Sequence, residues 1–529
     1  MTKRTTKRTT EAVVAGDGPN VSIIESAHQD RPGGRRTVLL AAVLVVAAVV
    51  GVVVWRSRDR DADPPKGTPA PAARASELFA ADGTTLIARF DTEDPRESCL
   101  RAPVNDWGFF CDSVVTWWQG QEAFGADKAE RTGRLRQGGY RIVGSLDPKL
   151  QAAAKQRVDA VVPVTDPNVF SVASIEPGTG LIRAMAVNRN FRRAAAAAVS
   201  PGVSSGDGPP AWSYTGPDAT DALVAGDDNM PGTQAGAPFM MFTLAAALEG
   251  GLKLDHAIDT KKVYQSKFRI DPQSPLACNG GYYCPTNTGD KAYQSGRRTM
   301  WDAFGHTVVT YFVELEERIG VEKAVALAQR LGITFRAKED QALGKNSAGW
   351  GAFTLGVSAT STLDLANAYA TLAADGTHCD PLPAAKVTDA TGAQVPGVGP
   401  NCESVLRPEV ARAAIDAARC PVGDASAFGD RCGAGAVPAT TVRATVGRPV
   451  AGQSGVMDSR RACSVVITGP QLATAGMIAT APWARTGQAG IPAGVPEAAI
   501  GAVATVQRDG LAPLPVRDFT APPREVAFA

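Results

Sequence analysis

What the sequence lacks narrows it first. Its 529 residues include only four histidines, none standing with Cys or Asp at metal-ligand spacing, so neither a metal nor a cofactor is expected. Lysine plus arginine (54) nearly balance aspartate plus glutamate (53), a formal net charge of +1, so no nucleic-acid partner is predicted. No Cys-x-x-Cys is present, which argues against zinc ribbons and thioredoxin-like redox chemistry. No internal repeat is visible, and no cysteine precedes Cys99. Long apolar runs are equally scarce, with one exception.

That exception is Thr37 to Trp55, TVLLAAVLVVAAVVGVVVW, an uncharged stretch of about the ~20 residues needed to cross a bilayer. Arg31, Arg35 and Arg36 precede it, with Lys3, Arg4, Lys7 and Arg8 further upstream, so the N-terminus is expected in the cytoplasm. A cleaved signal peptide is the competing reading. The run is long for a signal core, starts deep in the chain, and ends in Val52-Val53-Val54-Trp55, a poor cleavage site. The expected organisation is a disordered cytoplasmic tail (1–36), a transmembrane helix (37–55), a Pro-rich spacer (56–76), a hairpin and linker domain (77–165), and a larger domain (166–529). The chain is therefore expected in the cell membrane as a single-pass protein, its C-terminal domain extracytoplasmic.

All nine cysteines follow the apolar run. They fall into close pairs: Cys99 with Cys111, Cys278 with Cys284, Cys379 with Cys402, and Cys420 with Cys432. Disulfides outside the membrane are expected, each contributing about 2–4 kcal/mol. Cys463, in the run ACSVVI, reads as a buried inert thiol.

Local patterns predict an α/β (α+β) domain. ELFAADGTTLIARF (Glu77–Phe90) reads as two strands about Asp82-Gly83. Asp147-Pro148 starts a helix with Leu150, Ala154, Val158 and Val161 on one face. FSVASIEPGTGLIRAMAV (Phe170–Val187) reads as two strands about a Pro177–Gly180 turn. Asn188 to Gly232, rich in Ala, Gly, Ser and Pro, reads as a mobile surface loop. Gln234 to Gly251, QAGAPFMMFTLAAALEGG, is a buried helix with Pro238 in its first turn and glycines past its end. Trp301 to Gly320 has a buried-helix pattern, Val321 to Leu331 an amphipathic one, and Val450 to Ile478 reads as three strands. The acidic pairs Asp227-Asp228, Asp255 with Asp259, and Glu316-Glu317 read as solvated surface charge.

Several of these segments resemble, in order, the penicillin-binding proteins. QAG followed by FTLAAALE-like sequence resembles the helix carrying their nucleophile. GAFTLGVSATSTLDLANAYATL (Gly351–Leu372), VAGQSGVMDSRRACSVVITGPQLATAGMI (Val450–Ile478) and RDFTAPP (Arg517–Pro523) resemble later segments of the transpeptidase domain in the bifunctional, class A-like members. The Glu77–Phe90 hairpin resembles the start of their glycosyltransferase domain, but FFCDSVV and RLRQGGYRIVGSLDPKLQAAA follow too soon to leave room for that lobe. The resemblance implies the penicillin-binding protein and serine β-lactamase-like fold, an antiparallel sheet flanked by helices.

In that family Ser-x-x-Lys, Ser-x-Asn and Lys-Thr/Ser-Gly converge on one site, where the Ser is acylated by the D-Ala-D-Ala end of a peptidoglycan stem peptide or by a β-lactam. A Ser hydroxyl needs a base, and a Lys one helical turn on can serve. Here the corresponding residues are Ala237 and Met240, then Thr307 and Val309, then Gln453, Ser454 and Gly455. A methyl group cannot attack a carbonyl, and Met240 has no proton to exchange. Val309 lacks the amide that grips substrate, and Gln453 lacks the cation that draws in a carboxylate. Loss of the nucleophile alone costs a serine protease on the order of 10⁶ in kcat. The resemblance therefore implies a catalytically inactive scaffold or regulator of peptidoglycan biogenesis. Two alternatives stay open: a non-covalent sensor of stem peptides, β-lactams or a cell-wall glycopolymer, and an active D,D-transpeptidase using Thr307 or Ser454. Thr307, Ser454 and Gly455 are the candidates for a substrate cleft, with His306 beside them as a possible stray base. Expected partners are the membrane and cell-wall synthesis proteins or the stem peptide.

Overall fold

The computed structural model describes residues 74–192, 218–219, 222–228, 230–288, 291–433, 440–457, 460–480 and 490–529. The predicted tail, the Thr37–Trp55 span and nearly all of the spacer lie outside the described residues. Among the described residues no helix is long and apolar enough to cross a membrane.

The first described elements form the predicted hairpin, strands Glu77–Phe79 and Leu86–Arg89. Asp82 builds its turn by accepting hydrogen bonds from the Thr85 hydroxyl and from the Thr85 and Thr84 amides (2.5–2.8 Å). Those bonds hold its carboxyl down at about 2. A small helical segment follows, chiefly Trp107–Gly120 and Lys128–Gln137. Trp118 stacks on Phe124 with ring centroids 3.4 Å apart inside it, and the Cys99–Cys111 disulfide ties it together. The strand Arg141–Gly144 then returns parallel to Glu77–Phe79. Ala384–Thr388, over two hundred residues later, pairs with it to complete a four-stranded sheet.

The main sheet has five antiparallel strands, in spatial order Ala451–Val456, Ala462–Thr468, Ala473–Thr480, Asn168–Ile175 and Ile182–Val187. Both faces are largely covered, so the strands bury side chains on each, and the period of two sorts the apolar ones between two cores. Phe170, Val172, Val465, Ile467 and Ile478 enter one core, with helices Pro148–Val161 and Val495–Leu511. Ala173, Ile175, Val466, Ala475 and Met477 enter the other, against helix Thr362–Ala373. Asp147 caps the first of these helices, accepting from the Lys149 and Leu150 amides, as the Asp-Pro pair predicts. Leu150, Ala154 and Val158 are buried and Val161 is half-buried.

Beyond the second core lies a helical layer built about Met240–Glu249, whose residues Met240 to Leu248 are all buried. Helices Val309–Ile319, Val321–Arg330 and Pro408–Ala418 pack around it. Pro238 sits in a 3₁₀ turn, Ala237–Phe239, that opens the helix; Gly250 closes it, followed by Gly251 at φ +94°. The four predicted disulfides are present. Cys463 is free and buried, and burial pushes its thiol up to about 12.

Three expectations are corrected. Trp301–Gly320 is not one helix: Met300–Gly305 and Val309–Ile319 are separate, broken where Thr307 takes φ +53°. The start of the Asn188–Gly232 stretch is not a loose loop. Asn188 and Arg189 are buried, with the Asn188 amide donating to the Pro163 and Asn168 carbonyls. Asn190–Phe191 pairs with Asp218–Ala219, and Ala222–Ala225 is a helical turn; residues 193–217 lie outside the described residues. Glu316 is not surface charge. It is fully buried, accepting the Thr354 amide at 3.0 Å, and burial holds its carboxyl well above the ordinary value despite that bond.

A raised carboxyl has a definite sign. Above the ordinary glutamate value of 4.5 the unfolded chain releases a proton that the folded chain keeps, so this group lowers stability as pH rises. Glu316→Gln is expected to match wild type near about pH 4 and to be the more stable protein near about pH 8. Melting curves across that range check it, and a difference that does not grow with pH overturns the assignment.

Candidate functional site

The three motif segments meet at the free edge of the main sheet. Gly236, at φ +72°, turns the chain into the 3₁₀ turn that begins at Ala237. The edge strand Ala451–Val456 packs on that turn so closely that a Cβ on Gly455 would lie 2.5 Å from the Ala237 amide nitrogen. Only glycine permits this approach. On the other side a Cβ on Gly356 would lie 2.3 Å from the Gly236 carbonyl oxygen. Tyr369 donates its hydroxyl to the Pro238 carbonyl (3.0 Å), and Ser464 donates to the Ala235 carbonyl. The position of a nucleophile is thus held from several directions, and it carries a methyl group. Ala237 is 8% exposed and Met240 1%, and both belong to the core cluster of the helical layer.

Thr307 follows helix Met300–Gly305. A β-branched residue at φ +53° is strained, and such strain persists only where neighbours impose it. The following helix begins at Val309, which is half-buried. Gln453 links this segment to the sheet. Its amide Nε2 donates to the Phe304 carbonyl (3.0 Å) and its Oε1 accepts the Ser454 amide (2.9 Å). Gln453 is 3% exposed, so the expected place of a cation holds a neutral amide whose nitrogen and oxygen each bond to backbone. The Ser454 N–H, one of the groups an extended peptide would need, is already taken.

His306 is better ordered than a stray base. Its ring stacks on Tyr293 with centroids 3.6 Å apart. Nδ1 lies 2.9 Å from the Asp302 carbonyl oxygen and 3.0 Å from Asp302 Oδ1. Burial alone would raise the Asp302 carboxyl, but hydrogen bonds from His306 and Arg298 prevail and hold it below the usual range. A cavity of about 270 Å³ opens beside this histidine, lined by Thr307, Gln453, Ser454 and a wall of valines.

The structure thus packs Gly455 against Ala237 and sets Thr307, Gln453 and Ser454 about one cavity, with Ala237 and Met240 both in the core. Sequence reasoning missed Asp302, although its i,i+4 spacing from His306 was available. It also missed the Phe304 carbonyl, which no side-chain pattern could reveal.

Residues 239–407 match the penicillin binding protein transpeptidase domain. Penicillin-binding protein 1A of Mycobacterium tuberculosis is 26% identical over 264 residues, 48% of this chain and 26% of that protein. Penicillin-binding protein 1A of Clostridium novyi is 30% identical over 163 residues, 30% and 18% of the two chains. The matched stretch spans about a quarter or less of the length of these relatives. Among solved structures, PonA1 of Mycobacterium tuberculosis in complex with penicillin V superposes with TM-score 0.55 and 22% identity, covering 79% of this chain and 98% of that one. Apo penicillin-binding protein 3 from the same organism gives 0.55 and 15%, covering 85% and 98%. The expected transpeptidase fold is therefore present.

Removing the Gln453 bridge leaves the half-buried Ser454 amide without its partner and takes one of two bonds from the Phe304 carbonyl, which keeps the Thr307 amide. Gln453→Ala is expected to destabilise the fold by about 1–3 kcal/mol, measured by urea unfolding. A change well under about 0.5 kcal/mol shows that the bridge is not structural.

Proposed function

We propose that this chain, which carries a penicillin-binding protein transpeptidase domain, is a non-acylating member of the fold that acts by binding, as a scaffold or regulator of peptidoglycan synthesis. The single observation behind this reading is Ala237, a methyl group at a position fixed by Gly455, Gly356 and Tyr369. Met240 is buried and Gln453 is uncharged, so the two motif positions expected to supply a base and a carboxylate-binding cation carry neither. The alternative of strand addition by a stem peptide is disfavoured, because the Ser454 amide is occupied by Gln453.

Four disulfides suit an oxidising compartment, and the Thr37–Trp55 run suits an anchor leaving the N-terminus in the cytoplasm. On this reading the partners are the membrane and other cell-wall synthesis proteins, met through the outer surface of the domain.

Full-length protein is expected to remain unlabelled by a fluorescent penicillin. Covalent labelling at any residue, Thr307 and Ser454 included, overturns the reading. Ala237→Ser alone is expected to stay unlabelled as well, since a hydroxyl without a base is a poor nucleophile. Calorimetry with a D-Ala-D-Ala peptide is expected to show no heat, and a saturable signal would favour a sensor.

A further inference from the structure

The ribbon that follows strand Ile258–Thr260 carries a local excess of charge that the chain as a whole does not. Over 529 residues the two signs nearly cancel, but KKVYQSKFR (Lys261–Arg269) holds four cations and no acid. The segment facing it, Gly281–Thr288, is uncharged.

The two segments run antiparallel. The Tyr264 and Ser266 amides donate to the Pro285 and Tyr283 carbonyls, and the Tyr283 and Asn287 amides donate back to the Phe268 and Lys262 carbonyls (2.8–3.1 Å). Extended backbone sends alternate side chains to opposite faces, and burial follows that rule. Ser266 and Phe268 are buried, while Lys261, Val263, Gln265, Lys267 and Arg269 are exposed, with Lys262 exposed beside them. The ribbon is firmly held. The Cys278–Cys284 disulfide closes its turn, and Asn287 exchanges hydrogen bonds with Thr310 at the start of helix Val309–Ile319 (2.7 and 2.9 Å).

The cations of this strip face water. Lys267 pairs with Glu317 (3.1 Å), yet its side chain is 85% exposed and that carboxylate only 9%. Arg269 lies over the Tyr282 ring, 3.9 Å from its centroid, a stack that fixes the group without neutralising it. Asp271, just past the strip, is turned to the Gln273 amide (2.8 Å). Eight residues at about 3.3 Å each set Lys261 and Arg269 roughly 26 Å apart, so the charge forms a line and not a single focus. A membrane surface is met by large apolar groups that insert; the strip exposes only Val263, with Leu276 at the far turn.

We propose that this strip binds an extended polyanion, a linear polymer bearing phosphate or carboxylate groups at regular intervals, and so holds the domain on the wall. Successive anionic groups meet Lys261, Lys262, Lys267 and Arg269. That the polymer belongs to the wall rests on the extracytoplasmic reading above. The selectivity for charge and length does not, and penicillin labelling reads the loss of acylation separately.

The test is titration of the full-length protein in detergent with poly(glycerol phosphate), with oligogalacturonate and with uncharged dextran, followed by calorimetry. Saturable binding of at least one polyanion and none of dextran is expected. That binding weakens about tenfold or more between roughly 50 and 200 mM salt, as counterion release requires. Binding of poly(glycerol phosphate) alone identifies phosphate as the group read, oligogalacturonate alone carboxylate, and both together charge. Lys261→Gln combined with Lys262→Gln, at exposed positions, is expected to weaken binding about fivefold or more and to flatten the salt dependence. Lys386→Gln, exposed on the four-stranded sheet, is expected to leave it unchanged. Absence of polyanion binding overturns the proposal, as does affinity that the double variant leaves intact or that Lys386→Gln lowers equally. Glycerol phosphate binding as tightly as its polymer also overturns it. So does attachment to phosphatidylglycerol vesicles, lost in the double variant, without any polymer binding.

Discussion

A helix with no solvent-facing side must find an apolar neighbour in every direction, and the Met240–Glu249 helix sets that demand for the whole helical layer. Nine consecutive buried residues leave no face on which polarity could be tolerated. The helices around it and the turn before it are placed by that requirement. Catalysis is a separate matter that uses two positions near one end. Those positions can change without disturbing the layer, provided the replacements pack. Ala237 fits beneath the Gly455 backbone, and Met240 is a flexible apolar filler where a charged group would be costly. The burial that holds this layer together does not depend on which groups stand at those two positions.

The edge strand joins the sheet to the helical layer through one side chain. A lysine at position 453 would hold a charge over the motif segments; the glutamine instead spends both ends of its amide on backbone atoms, at Phe304 and at Ser454. The result is a joint between sheet and helical layer.

Much of this was legible from particular residues. The Asp147-Pro148 cap, the Asp82-Gly83 turn, the period-two strands and the glycines after Glu249 are local signals, and each held because the local preference agrees with the fold. The disulfides held because each partner was close in sequence. The segment around Thr307 did not, because its apolar residues continue at helical spacing while tertiary packing forces a left-handed residue between two helices. Glu316 was misread for a similar reason: a charge pair in sequence looks solvated until a helix turns one member inward. At the site, the identities of Ala237, Met240 and Gln453 were readable, but not the hydrogen bonds of Gln453 or the partner of His306, which join segments far apart in sequence.

The four-stranded sheet at the start of the described chain carries a mechanical consequence. Glu77–Phe79 is an interior strand, flanked by Leu86–Arg89 and by Arg141–Gly144, and the latter is in turn held by Ala384–Thr388. Tension arriving through the segment before residue 74 and directed along that strand loads two ladders at once in shear, so their bonds share the load instead of unzipping singly.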